Sequence, residues 1–452
     1  MFLKKLARFI LITLVALIAT LVIFLAFSLA PVDRTPAQEE EYYRVMKQDL
    51  DSLRNVVIPK ATEGFSVGYA KVNLTPSSPV PLAGYGNRRG KPFTEVHDSI
   101  YVRAMVIGNG AQRVAVVSAD LLLIPPAVNE QLKNRLAVVG FSPDQVYLGA
   151  THTHNSIGSW GKGAARFIYG PYQDEIVNFI TDKIVACVEK ASENIVAASL
   201  RTGAIPVAQA VSNRLLKGGP EDSLLRVMEV RRNDSSKLLL MSYTAHATCL
   251  YSKDLALSRD YPGPLVDTLE AQGYDFAMFM AGAVGSHKCT PPEYGWNCMD
   301  WMAGELSQAF LSQRHQLKAV HDSTLFMLRV PLLLSDPQVK ITPDWKIRPW
   351  LFRAALGEYP VSLTALRIGD IMMLGTPCDF SGEFNFALDP IASKRGLQIM
   401  VTSFNGGYIG YVTPGKYYDR KYFETQLMNW YAPGTGEYME ECMEQLVEIV
   451  DK

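Results

Sequence analysis

A run without a single charged residue, from Phe9 to Pro31, constrains this chain more than any other feature. Lys4, Lys5 and Arg8 stand just before it. At a rise of 1.5 Å per residue, ~20 helical residues cross a hydrocarbon core about 30 Å thick. Ser28-Leu29-Ala30 offers a small-residue cleavage site, but the run is longer than the ~7–15 apolar residues of a signal peptide. The expectation is one uncleaved N-terminal transmembrane helix, with residues 1–31 as cytoplasmic tip and anchor. The basic flank stays in the cytoplasm, so everything after Val32 faces the extracytoplasmic side. Residues 32–60, with the polar, helix-prone stretch around Glu39, Glu40 and Glu41, are expected to form a stalk. Residues 61–452 form the globular part.

The rest of the chain reads as a folded domain. Of its 452 residues 48% are hydrophobic and 20% charged, which excludes a disordered chain. Lys+Arg 44 against Asp+Glu 45 leaves a net charge of -1. A chain that lives on phosphate contacts carries a basic excess, so nucleic acid is not an expected partner. Six cysteines are too few for a disulfide scaffold. Strand patterns at 65–72, 100–107, 113–118, 145–150, 238–243 and 276–280 alternate with helical ones at 127–138, 173–191 and 265–272. That alternation predicts an α/β fold, a mixed sheet core with flanking helices.

Chemistry-bearing residues cluster where apolar strands stop. Val146-Tyr147-Leu148 runs into Thr151-His152-Thr153-His154. Two histidines two apart on extended backbone point to one side; one could bind a metal while the other stays free for proton transfer. Read alone, the pair could equally be surface loop histidines. His246 follows the strand Leu238–Tyr243, and Asp379 follows Ile371–Leu374. Alone, His246 could be a buried core histidine and Asp379 a helix cap. Two histidines and a carboxylate also make a catalytic zinc set with one position left for water. Phe404-Asn405-Gly406-Gly407 leads to Tyr411-Val412-Thr413, where the glycines permit close backbone approach. His315 and His321 lie in a polar stretch and are expected in solvent.

In this order, these pieces resemble the catalytic domain of the neutral (non-lysosomal) ceramidases, from about Phe65 to about Glu440. The resemblance rests on Val67-Gly68-Tyr69-Ala70 with Gly84-Tyr85, Asp120 in Ser118-Ala119-Asp120-Leu121, Thr151-His152-Thr153-His154, Ser212-Asn213-Arg214, the His246 segment, Gly375-Thr376-Pro377-Cys378-Asp379-Phe380, and Phe404-Asn405-Gly406 with Tyr411-Val412-Thr413. It implies that His152, His246, Asp379 and Tyr411 bind one zinc ion, that His154 is the proton donor, and that Arg214 lines the site. His97 matches a family histidine near the site, and His97 and Asp120 are possible supporting residues. Three departures stand out. Asp379 replaces a glutamate. In Gly285-Ser286-His287-Lys288, the family's active-site serine aligns with Lys288, or with Ser286 after a one-residue slip. The family's C-terminal β-sandwich is expected to be missing.

The resemblance implies a membrane-anchored zinc amidase acting on the N-acyl amide of ceramide or a related lipid through zinc-activated water, without a covalent serine intermediate. A zinc hydrolase of another amide or ester is the alternative, and a binding protein that keeps the fold without turnover is a further one. Lys288 beside the metal would favour an anionic lipid. Cys289 and Cys298 flank a turn-rich segment and are expected to pair, since the outer compartment permits oxidation.

Overall fold

The computed structural model describes residues 2–451, and helix α1 (Phe2–Ser28) precedes an α/β body built on two main sheets, with four two-stranded ones beside them. The strands β1 (Ser66–Asn73), β2 (Tyr101–Gly108), β3 (Arg113–Ala119), β4 (Val146–Ala150), β5 (Val196–Pro206), β6 (Leu224–Arg232), β7 (Lys237–Tyr243) and β8 (Phe276–Ala281) belong to the larger sheet. They lie in the order β8-β7-β6-β5-β1-β2-β3-β4, and the short strand Lys318–Ala319 pairs with β5. A smaller sheet runs β9 (Leu325–Pro331), β10 (Ser362–Ile368), β11 (Ile371–Gly375), β12 (Gln398–Thr402).

Both sheets are mixed, as expected, and their parallel pairs decide where the site lies. β3 pairs in parallel with β4, β7 with β8, and β11 with β12. A parallel pair needs a crossover. The helices Pro126–Arg135, Pro262–Ala271 and Asn385–Lys394 provide the three. All three pairs therefore end in loops at their carboxyl ends, the place where α/β sheets gather ligands.

Apolar residues on both faces hold the layers together. The helix Asp174–Glu193 buries Ile176, Ile180, Ile184, Cys187, Val188 and Ala191, a stripe at helical spacing. It lies so close to β1 that a Cβ on Gly68 would stand 1.9 Å from the Ala191 carbonyl oxygen. Met105, Val116, Tyr147, Leu240 and Met278 of the larger sheet pack with Leu366, Met373 and Met400 of the smaller one. The larger sheet also bends until its ends meet: Ser118 Oγ donates to the Phe279 carbonyl at 2.5 Å.

Two expectations are corrected. The segment 32–60 does not stand free as a stalk. Helix α2 (Glu41–Leu53) buries Met46 and Leu50 in the same apolar cluster as the helix Thr435–Val450. Tyr42 meets Tyr438 edge to face at 5.3 Å, and the Tyr43 hydroxyl donates to Glu441 at 2.7 Å. The polar residues seen in the sequence form only the outer face of an amphipathic helix. The disulfide joins Cys249 to Cys298, with Cα atoms 5.3 Å apart, and Cys289 is free. The sulfurs of Cys249, Cys289 and Cys298 all lie within 4.8 Å of one another. Sequence proximity favoured Cys289, but the first turn of the helix Trp296–Gln313 instead carries Cys298 to the loop after His246.

Two measurements check this arrangement. Unfolded without reductant, the protein should expose four thiols, those of Cys187, Cys289, Cys378 and Cys442, with two more after reduction; peptide mapping should recover Cys249 linked to Cys298. Leu50→Ala should lower stability by about 2–5 kcal/mol, the usual cost of emptying a buried leucine site. A free stalk would show no such loss in denaturant titration.

Candidate metal centre

The three carboxyl ends deliver three histidines and a carboxylate to one buried spot. After β4, Thr151 N–H donates to the Ala119 carbonyl and His152 N–H to that of Leu121, both at 3.0 Å. At His152 the backbone turns left-handed, φ 63°, so the segment is not the extended stretch expected. His246 follows β7, and Asp379 follows β11. His152 Nε2 lies 2.8 Å from His246 Nε2. His154 Nε2 lies 3.2 Å from the first and 3.0 Å from the second. Asp379 Oδ1 is 3.3 Å from His152 Nε2. His154 thus stands with His152 and His246 in a group of three imidazoles that could hold a metal ion. The turn at His152 brings its ring to the same point as that of His154.

The donor set fits a zinc-type cation. His152 Nδ1 faces the Leu122 carbonyl oxygen at 2.6 Å, which only accepts, so the proton sits on Nδ1 and the Nε2 lone pair points inward. Burial, reinforced by the neighbouring His152 ring and the charges of Arg88 and Arg214, holds His154 well below the usual imidazole range. Burial and Arg214 do the same to His246. Arg214 donates to His246 Nδ1, so a neutral His246 carries its proton on Nε2, 2.8 Å from the His152 lone pair, and a cation bound there would take that proton's place. Asp379 is fully buried, and its Oδ1 has no hydrogen-bond partner. An orphaned carboxylate oxygen beside three imidazole nitrogens is a ligand set of the N/O type zinc takes.

Neighbouring groups fix these ligands in place. Phe404 stacks on the His152 ring, centroids 4.0 Å apart, and the Tyr408 hydroxyl donates to Asp379 Oδ2 at 2.8 Å. Arg88 is buried and gives its N–H groups to backbone carbonyls, including that of His154, and to Asn155 Oδ1 at 2.9 Å. Burial pushes this guanidinium down to about 10, which still leaves it charged at neutral pH. Asn155 Nδ2 donates to the carbonyls of Asp254 and Ala256 at 2.9 and 2.8 Å. A Cβ on Gly84 (φ 119°) would sit 2.5 Å from the His154 carbonyl oxygen. Arg88, Asn155 and Tyr408 were missed in the sequence. A buried arginine that ties off carbonyls leaves no motif, although Asn155 adjoins the Thr-His-Thr-His run.

The other expected residues divide into two groups. Tyr411 OH lies 3.5 Å from His246 Nε2, at the edge of the group, and burial holds its phenol well above the ordinary value. Arg214 lies over the Tyr411 ring at 5.2 Å, pairs with Glu424 at 3.2 Å and reaches His246 Nδ1 at 3.1 Å. Glu383 accepts from Asn213 at 2.8 Å and from Lys416 at 2.7 Å, and so is engaged elsewhere. His97 is exposed and stacks on Trp296 at 4.2 Å, outside the imidazole group. Asp120 accepts the Tyr101 N–H at 2.8 Å, and burial raises it to about 6; its contact is structural. Lys288 is exposed on the strand His287–Cys289, and its backbone bridges to that of His246. Alternation along that short strand turns it outward between two buried neighbours.

Ser286 is the buried residue of the pair, but nothing activates it. His287 Nε2 accepts the Asp222 N–H at 2.9 Å. A neutral ring must then carry its proton on Nδ1, which faces Ser286 Oγ at 2.8 Å. His287 therefore donates to the serine and cannot take its proton.

Comparison with known proteins identifies the fold. The fold is that of the neutral ceramidases. Residues 65–218 match the family model for neutral/alkaline non-lysosomal ceramidase, N-terminal. The crystal structure of neutral ceramidase from Pseudomonas aeruginosa is similar with a TM-score of 0.72 at 18% identity, over 86% of this chain and 74% of that one. A ceramidase complexed with C2 gives TM-score 0.72 and 18% identity, over 86% and 75%.

Burial pushes His287 down to about 4. An unfolded histidine titrates near ~6.5, so on acidification the unfolded chain binds this proton first. The stability His287 contributes is complete above that value and is lost as pH falls toward about 4. In an NMR titration its ring signals should stay fixed between about pH 7.5 and 5.5. A midpoint inside that range would undo the tautomer assigned to it.

Proposed function

We propose that this chain is a membrane-anchored, zinc-dependent amidase that hydrolyses the N-acyl amide of ceramide or a related lipid. The observation that carries the reading is three buried imidazole Nε2 atoms within 3.2 Å of one another, beside an unpartnered Asp379 oxygen, in a neutral-ceramidase fold. His152, His154, His246 and Asp379 would hold the ion. Zinc bound there acidifies a coordinated water toward neutrality and polarises an amide carbonyl.

This chain's own residues supply the rest. Arg214 keeps a permanent charge next to His246 and suits the negative charge that develops on the amide oxygen. Tyr411 keeps its phenolic proton, because burial disfavours the phenolate, and offers that proton to the substrate in place of His154. Its position is set by β-type pairing with Asp379, so both move as one unit. Ser286 takes no covalent part, since His287 holds it as an acceptor. Helix α1, 25 residues from Lys4 to Ser28 with an 18-residue apolar stretch of which none is buried, supports an anchor that keeps the body on the extracytoplasmic side beside a lipid substrate.

Two tests separate this reading from its rivals. The purified protein should carry about one zinc per chain, and His154→Ala should lose it as His152→Ala and His246→Ala do, each with activity down by roughly 10²-fold or more. A His154→Ala protein with full zinc but no turnover would restore the free proton-donor role. Among N-acyl sphingoid bases, N-acyl amino acids and simple esters, the sphingoid amides should be cleaved fastest, and Ser286→Ala should keep most of that rate. Zinc-dependent turnover confined to esters would move the chain to another hydrolase class, and bound zinc with no turnover would make it a binding protein.

A further inference from the structure

The junction between α1 and the body carries a set of exposed apolar residues that the chemistry does not use. α1 does not lead into a loose tether. Ser28 is buried, and its carbonyl accepts the Arg348 N–H at 2.8 Å. Leu29–Pro31 pair antiparallel with Trp345–Ile347. Trp350 Nε1 donates to the Phe27 carbonyl at 3.0 Å. Just beyond, Gln338 exchanges hydrogen bonds with the Asp33 backbone in both directions at 2.9 Å. The body is thus fastened to the last turn of the apolar helix with no slack.

Around this fastening Ile341, Trp345 and Trp350 are each about half exposed, at 50%, 49% and 50%. Tryptophans left in water on a folded surface are costly unless something covers them. Their position says what does. They sit level with the end of a helix long enough to span the hydrocarbon, where tryptophan is enriched because its ring tolerates both apolar and wet surroundings.

The same surface leads to the metal centre. The helix Pro349–Leu356 that carries Trp350 also buries Phe352, which meets Trp430 edge to face at 5.4 Å. Trp430 meets Tyr408 at 5.5 Å, and the Tyr408 hydroxyl bonds Asp379. Nearby, Phe423 and Leu427 are each 56% exposed, and Phe423 packs against Tyr411 at 6.2 Å. Aromatic contacts therefore run from the helix that carries Trp350 to the edge of the site.

We propose that Ile341, Trp345 and Trp350 form a platform seated in the outer headgroup region of the bilayer, and that it turns the rim at Phe423 and Leu427 toward the membrane. The occupant of this face is lipid. An amide-bearing lipid then moves from the bilayer along an apolar surface to the site without crossing water. The proposal rests on the reading of α1 as a retained anchor.

The test uses the full chain reconstituted into phosphatidylcholine vesicles that contain lipids spin-labelled near the headgroup. Tryptophan quenching is compared for the wild type, Trp345→Phe, Trp350→Phe and the double variant, with vesicle flotation as a separate readout. The two tryptophans should account for more than about half of the quenching by shallow labels, with little from labels at the bilayer centre. A chain that floats but loses no quenching in the double variant overturns the platform while leaving the anchor intact. If both residues are shielded from lipid labels and from aqueous acrylamide alike, another protein surface such as a second copy covers them, and the platform is again overturned. A chain that fails to float removes the anchor, and the platform with it.

Discussion

Everything at the candidate site depends on how the two larger sheets are joined at their carboxyl ends. The histidines come from the larger sheet and Asp379 from the smaller one, so no single element can set their distances. Backbone hydrogen bonds make the junction. Gly285 N–H donates to the Phe380 carbonyl at 2.7 Å, and Ser403 N–H to that of Ala281 at 3.1 Å. Asn405 Nδ2 donates to the Leu148 carbonyl at 2.6 Å. A Cβ on Gly285 would lie 2.2 Å from the Asp379 carbonyl oxygen. Any side chain there would push Asp379 away from the imidazoles, so the spacing of the ligands is set by main chain and not by flexible side chains.

Burying such a group raises an electrostatic problem that the surroundings answer in parts. Three imidazoles and a carboxylate in a dry interior cost free energy unless their polar atoms are matched. Leu122 matches one nitrogen of His152, and Tyr408 matches one oxygen of Asp379. The inward-facing atoms are left for a cation. Arg88 adds a buried positive charge that pairs with carbonyl oxygens and an amide, with no carboxylate among its partners. Its proximity also helps keep His154 neutral, so it fixes the loop and favours the ligand form of the ring.

The N-terminal region is built into the body rather than tethered to it. Both segments after α1 are part of the fold: Leu29–Pro31 extend a short sheet, and α2 lies against the helix Thr435–Val450. A body fixed in this way holds one orientation relative to its helix, whereas one on a stalk would swing. On the proposed reading, with the substrate in a two-dimensional sheet of lipid, a fixed orientation would lower the entropy cost of presenting the site.

Periodicity and strand ends made much of this legible beforehand. The charge-free run to Pro31, the mixed α/β alternation, and His152, His246, Asp379 and Tyr411 at strand ends were all visible in the residues, because local patterns of burial and turn chemistry leave a mark in sequence. What depended on distant segments did not. The role of His154 turned on the left-handed backbone at His152. The disulfide partner turned on where the helix Trp296–Gln313 lands. Which of Ser286 and Lys288 is buried turned on which way a three-residue strand faces, and the direction of the Ser286–His287 hydrogen bond on an N–H from Asp222, far away in the chain. Each of these is a contact between residues remote in sequence. Sequence determines the side chains available at each strand end; only packing decides which of them meet.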